Sequence, residues 1–166
     1  MNLLATDCAV EILRALAIVF VVPPTVASEA LYRESGTAGD ARTQIDLAPL
    51  VAAGALRRTA LHADEIDRVV ELARLVDDGE AEVMAIALAR AISMATDDRR
   101  ARRLATERGV ALLSTPDLLQ RWQASAAVPS ARLRQILALV SRRSRYRPPR
   151  GHPLYDWWMS LLTALP

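Results

Sequence analysis

The chain contains no lysine, and only one of its 166 residues, Cys8, is a cysteine. A single thiol cannot close an internal disulfide, which suits a reducing compartment. Histidine is scarce as well. His62 and His152 stand alone, without a partner at metal-binding or catalytic spacing, and read as polar surface or core residues. No signal peptide is visible, and the most apolar early run, "ALAIVFVVPPTVA", is broken by Pro23 and Pro24 and too short to span a bilayer. Internal repeats and low-complexity segments are missing too. These absences argue against a disulfide scaffold and a membrane protein, and leave a soluble cytoplasmic protein as the expectation.

What is present is a globular composition, 52% hydrophobic and 24% charged, long enough for one domain with a core. The net charge of +2 hides a segregation. Up to Asp98 there are 16 acids against 8 arginines, formally −8; from Arg99 onward there are 3 acids against 13 arginines, formally +10. A genome biased toward arginine codons explains the missing lysine but not this separation. The arginine-rich back is the half suited to a polyanion.

Along the chain, Leu3 to Ala17 reads as a helix with Asp7 near its N-cap, and "IVFVV" as a short buried strand stopped by Pro23-Pro24. "TVASEALYRE" reads as a helix, "SGTAGDARTQ" as a loop, and "LAPLVAAG" as a short helix opened by Asp46 and closed by Gly54. "LRRTAL" is a strand. "ADEIDRVVELARLV" is an amphipathic helix whose apolar face is Ile66, Val69, Val70, Ala73 and Val76. Then come a nearly all-apolar helix from Glu80 to Ala91, the strand "ISMAT", the helix "DDRRARRLATERG", the strand "VALLS" and a helix from Thr115-Pro116. Alternating strands and helices predict an α/β fold with a parallel sheet sandwiched between helices. Residues 126–166 read as a helical, Arg- and Pro-rich C-terminal extension to a domain over 1–125.

The stretch "DDGEAEVMAIALARAISMATDD" places Asp77, Asp78, Glu80 and Glu82 before an apolar run and Asp97 and Asp98 after it. A helix of about 12 residues rises roughly 18 Å, and a following strand of about 5 residues returns about 16 Å. Packed antiparallel, they bring Glu80 and Asp97/Asp98 to one edge of the sheet, the carboxyl edge where open α/β sheets bind ligands. Two readings stand side by side. In one, the carboxylates form an oxygen-rich site for Mg²⁺ or Mn²⁺, with Arg99, Arg100, Arg102 and Arg103 behind it for a polyanion. In the other, Asp78 and Glu80 are first-turn helix acids, Asp97 or Asp98 is an N-cap, and the arginines are a solvated face.

The series "LVDDGEAEVMAIALARAISMATDDRRARRLATERGVALLSTPDLL", together with "FVVPPTVASEAL", resembles PIN-domain nucleases, in particular a toxin-type subgroup with a "GEAE" helix followed by a "TDD" strand end. The likeness spans about Val19 to Trp122. It implies an α/β sandwich that cuts RNA with Mg²⁺ or Mn²⁺ held by three or four acids. It implies metal ligands at Glu29, Glu80, Asp97 and Asp98, with Glu80, Asp98 and Asp97 catalytic and Glu82 pointing elsewhere. RNA contacts fall to Arg99, Arg100 and Arg103. The family's opening strand and its central Asp have no counterpart here: Asp7 follows "MNLLAT", a poor buried strand, and lies only 16 positions before Pro23. Either the true start lies upstream, or the chain is a catalytically impaired relative that binds RNA or a partner. A chain with that Asp missing is expected to show sharply reduced metal affinity and cleavage.

The resemblance also implies partners: RNA, an antitoxin protein or a second copy of the chain, and no membrane. "RRSRYRPPR" reads equally as an RNA-contacting arm or a solvated linker. Trp157, Trp158, Tyr155 and Met159 read as a cap on a hydrophobic core ahead of a surface for stacking on bases, and Cys8 as a small buried residue.

Overall fold

The computed structural model of the protein describes residues 2–28, 32–34 and 42–163. After a 3-10 turn over Asn2–Ala5 come α1 (Ala9–Ala15), β1 (Phe20–Val22), α2 (Pro24–Ser28), β2 (Tyr32–Glu34) and β3 (Arg42–Gln44). Next are α3 (Ala48–Ala52), β4 (Leu56–Arg58), α4 (Ala63–Leu72), α5 (Asp78–Ala89) and β5 (Met94–Ala95). The chain ends with α6 (Arg99–Glu107), β6 (Leu112–Leu113), α7 (Thr115–Ser125), α8 (Ser130–Arg143) and α9 (Tyr155–Thr163). It divides into two compact units, one of residues 19–28 and 56–114, the other of 2–18, 32–34, 42–55 and 115–163.

The first unit is the α/β part. β1 pairs parallel with β4, Phe20 opposite Leu56 and Val22 opposite Arg58, and β5 pairs parallel with β6, Met94 opposite Leu112. Among the described residues no ladder hydrogen bond joins the two pairs, so the parallel sheet is realised as two short pieces. Pro23 ends β1 by withholding an N–H, and Pro24 opens α2, where none is needed.

α5 is the unit's central helix. Gly79, Ala81, Glu82, Met84, Ala85, Ile86 and Ala87 are all buried, so it is covered on more than one side. α4, α2 and β5 pack on it, and burying Met84 or Ile86 stabilises by roughly 1.5–3 kcal/mol each. Its core neighbours are Leu72, Val76, Met94, Ala101, Ala105 and Val110. α6 stops at Gly109, which takes the left-handed backbone (φ +73°), while Val110 N–H donates to Ala105 O at 2.8 Å, a Schellman-type ending that β-carbon-bearing residues resist.

Four elements differ from the sequence reading. The face chosen for α4 is rotated: Ile66 and Val70 are 51% and 55% exposed, whereas Glu65 and Leu72 are fully buried. The inward stripe runs through 65, 69, 72 and 76, because the Glu65 carboxylate is held inside by Arg90. Tyr32–Glu34, expected in a helix, and Arg42–Gln44, expected in a loop, form an antiparallel strand pair. The expected helix over Leu3 to Ala17 is broken at Thr6, whose N–H and Oγ1 both bond Leu3 O. Cys8 then takes the N-cap position of α1 without a side-chain cap. Asp7 instead accepts from Arg143 Nη1 at 2.7 Å.

The second unit is mainly helical. α8 buries Leu133, Ile136, Leu137 and Val140, α9 packs against α8, and Trp122 and Trp158 are buried. Tyr146 meets Trp158 edge to face at 5.9 Å, a geometry that favours the aromatic quadrupoles. His152 accepts from Leu154 N–H through Nδ1 at 3.0 Å, a local turn role. No helix among the described residues is long and apolar enough to cross a membrane.

Candidate active site

Two helix starts and one strand end build the site, all in the α/β unit. Asp77 is the N-cap of α5; its Oδ1 accepts from Glu80 N–H at 2.8 Å, satisfying one of the donors every helix start leaves open. This fixes Glu80 in the first turn. Asp98 caps α6 in the same way, its Oδ1 accepting from Ala101 N–H at 2.8 Å.

Thr96, at the end of β5 and 7% exposed, ties the two together. Its Oγ1 donates to Glu80 Oε1 across 3.4 Å and accepts from Asp98 N–H at 3.1 Å. Arg102 Nη1 in turn donates to Thr96 O at 3.0 Å, anchoring the turn from the first coil of α6.

The electrostatics follow from this packing. Burial pushes the Glu80 carboxyl up to about 7, the negative charges of Asp77 and Asp98 push the same way, and the Thr96 hydrogen bond opposes them. Burial and two neighbouring carboxylates thus both disfavour the charged form of Glu80.

Of the residues singled out in the sequence, the structure brings Glu80 and Asp98 together through Thr96, with Asp97 in the turn beside them, half-buried. Glu29 lies outside the described residues. Arg99, Arg100 and Arg103 are exposed on α6, Arg103 in a loose pair with Glu107 at 3.7 Å. Arg99 and Arg100 occupy the first turn of α6, where the helix dipole disfavours cations. Glu82 points to α2 instead: Thr25 Oγ1 donates to its Oε1 at 2.6 Å and Thr25 N–H to its Oε2 at 3.1 Å.

Thr96 was not singled out as a site residue, and Arg102 was named only among the arginines for a polyanion, not as the group that bonds Thr96 O. The threonine stands inside the "TDD" series, and its spacing to Asp98 is that of a threonine side chain closing a two-residue turn. Replacing it tests the link. Thr96→Val leaves Asp98 N–H without its partner and removes the donor to Glu80. The expected result is about 1 kcal/mol lower stability in urea titration and a Glu80 carboxyl shifted further up in an NMR titration.

As donors, the carboxylates suit a hard divalent cation. Among the described residues, however, no three Asp, Glu, His or Cys side chains group closely enough to hold one. Glu80 and Asp98 bring two carboxylates together, short of a three-donor group.

A family model described as a PIN domain matches residues 1–150. No curated protein and no solved structure matches the chain. PIN domains are nucleases in general, typically binding RNA and using divalent metals. Since the match takes in nearly the whole sequence, including the Glu80–Thr96–Asp98 arrangement, the chain belongs to the PIN-domain family.

Proposed function

We propose that the protein is a metal-dependent endoribonuclease, with Glu80 and Asp98 as the core of its ion site. The observation that carries this reading is Glu80, a half-buried carboxyl lifted to about 7 beside Asp98 on the carboxyl edge of a parallel pair. Glu29 and Asp97 join these two in the resemblance-based assignment, and Mg²⁺ or Mn²⁺ are the ions this oxygen chemistry suits. Bound there, the ion would supply an activated water and charge stabilisation at a phosphate. The chain's own contribution is positional. Thr96 holds the two carboxylates in register, Arg102 holds Thr96, and Arg99, Arg100 and Arg103 present cations to the phosphates on either side.

Incubating the purified chain with labelled single-stranded RNA in millimolar Mg²⁺ or Mn²⁺ tests the proposal. Slow cleavage is expected, with loss in excess EDTA and a further fall on the order of 10²-fold or more in Asp98→Asn. Cleavage that persists in EDTA, or none with either metal, overturns it.

A second reading has one observation in its favour, the lack of a three-donor group among the described residues: an RNA- or partner-binding module with little turnover. RNA binding without metal-dependent cleavage is its signature in the same experiment. The toxin role extends the first reading and rests on the "GEAE … TDD" resemblance. It predicts growth arrest on expression, relieved by a small inhibitory protein encoded alongside.

A further inference from the structure

At the carboxyl end of the β1–β4 pair lies an open cleft of about 520 Å³, lined by Pro24, Ala27, Ser28, Arg58, Thr59 and Ala60. Its size is within the range of small-ligand sites, and the carboxyl ends of parallel strands are where α/β sheets place ligands. The walls combine apolar surface from Pro24, Ala27 and Ala60 with one cation, Arg58. Arg58 is exposed and makes no ion pair among the described residues.

Parts of the cleft wall are tied to α5. Thr59 Oγ1 accepts from Arg90 Nη1 at 2.8 Å, and Arg90 Nη2 donates to Ala60 O at 2.9 Å. On the other side, α2 is clipped to α5 through Thr25 and Glu82, two residues beyond Glu80. One helix therefore fixes both the cleft wall and the carboxylate that faces Asp98. A preformed pocket of this kind loses little on ordering when a ligand enters.

We propose that this cleft binds one nucleotide of a single-stranded RNA. Arg58 takes the nucleotide's phosphate, and Pro24, Ala27 and Ala60 take the sugar and base face. Arg58 is thereby a binding residue separate from the arginines of α6. The inference rests on RNA being the ligand of the proposed function.

The test measures fluorescence anisotropy of a labelled single-stranded RNA in EDTA, so that binding is read without metal or cleavage. Arg58→Ala is expected to weaken binding about tenfold and to lower the salt-dependence slope by about 0.7. Ala27→Trp, which fills the cleft without changing charge, is expected to weaken binding as well. Arg57→Ala is the control, since Arg57 is the exposed neighbour on the opposite side of β4. Wild-type affinity in both cleft variants, equal losses in Arg57→Ala and Arg58→Ala, or no RNA binding by the parent chain overturns the proposal. Failure of the nuclease reading looks different: Arg58-dependent binding with no metal-dependent cleavage removes turnover and leaves the subsite standing. Metal-dependent cleavage with normal binding in both cleft variants removes the subsite alone.

Discussion

Glu80→Gln is expected to slow cleavage by 10²-fold or more and, at neutral pH, to make the protein more stable. The two effects share one cause. In the folded chain the Glu80 carboxyl keeps its proton up to about 7, against an ordinary value of 4.5, because burial and the charges of Asp77 and Asp98 disfavour the anion. Between those values the folded state binds more protons than the unfolded state, so stability falls as pH rises through the window from about 4.5 to about 7 and levels off above it. Glutamine matches the neutral carboxyl in shape and removes that titration. Allowing for solvent around a half-buried group, the gain above pH 7 is on the order of 1 kcal/mol, or a few degrees in melting temperature.

Thermal melts of parent and variant at pH 5 and pH 8 check this. The two curves should lie close at the lower pH and separate at the higher. Mg²⁺ should raise the parent's melting temperature by mass action and the variant's less. Equal melting behaviour at both pH values would show that Glu80 is an ordinary first-turn acid. The rate is expected to fall by 10²-fold or more, the scale of losing a group that stabilises transition-state charge.

How far this site could be read from the residues depends on which contacts are local. The start of α5 and the start of α6 each carry their own cap, Asp77 and Asp98, three residues before the donor they satisfy. Short-range chemistry of that sort is written in the spacing. The return of β5 alongside α5 follows from element lengths, so the approach of Glu80 to Asp98 was also open to geometric argument. Thr96 was harder: its value lies in bridging two groups that meet only after the strand has docked.

The α4 face could not be read, for a related reason. Hydrophobic periodicity puts Ile66 and Val70 inward, and it counts a glutamate as outward. Glu65 goes in because a guanidinium 25 residues later meets it. The local hint was present in the His62-to-Glu65 spacing, in which His62 N–H donates to Glu65 Oε2 at 2.7 Å as in half of a capping box. The β2–β3 pair escaped because its polar sequence carries no alternation, and only the facing strand gives it a role.

Arg90→Ala is the substitution expected to cost the most stability. Arg90 donates to Glu65 Oε1 through Nε at 2.7 Å and to Oε2 through Nη2 at 2.8 Å, a two-pronged pair with a fully buried carboxylate. The same guanidinium bonds Thr59 Oγ1 and Ala60 O, so one side chain joins the end of α5, the start of α4 and the loop after β4. Removing it strands a buried anion, and losses of about 3–5 kcal/mol are typical of that. The hydrogen bond from Arg90 holds Glu65 down to about 2, with burial opposing and the His62 N–H helping. Its stabilisation is therefore complete above about 4.5 and drains as pH falls toward 2. In Arg90→Ala the acid unfolding limb should flatten over that window as the mid-pH stability drops. Glu65→Leu with Arg90→Leu removes both charges at once and should recover part of the loss, read by urea titration of the single and double variants. A double variant no more stable than Arg90→Ala would show that the contacts to Thr59 and Ala60, and not the ion pair, hold this corner of the unit together. The Arg58 cleft would then depend on Arg90 for its shape, because Thr59 and Ala60 form part of its lining.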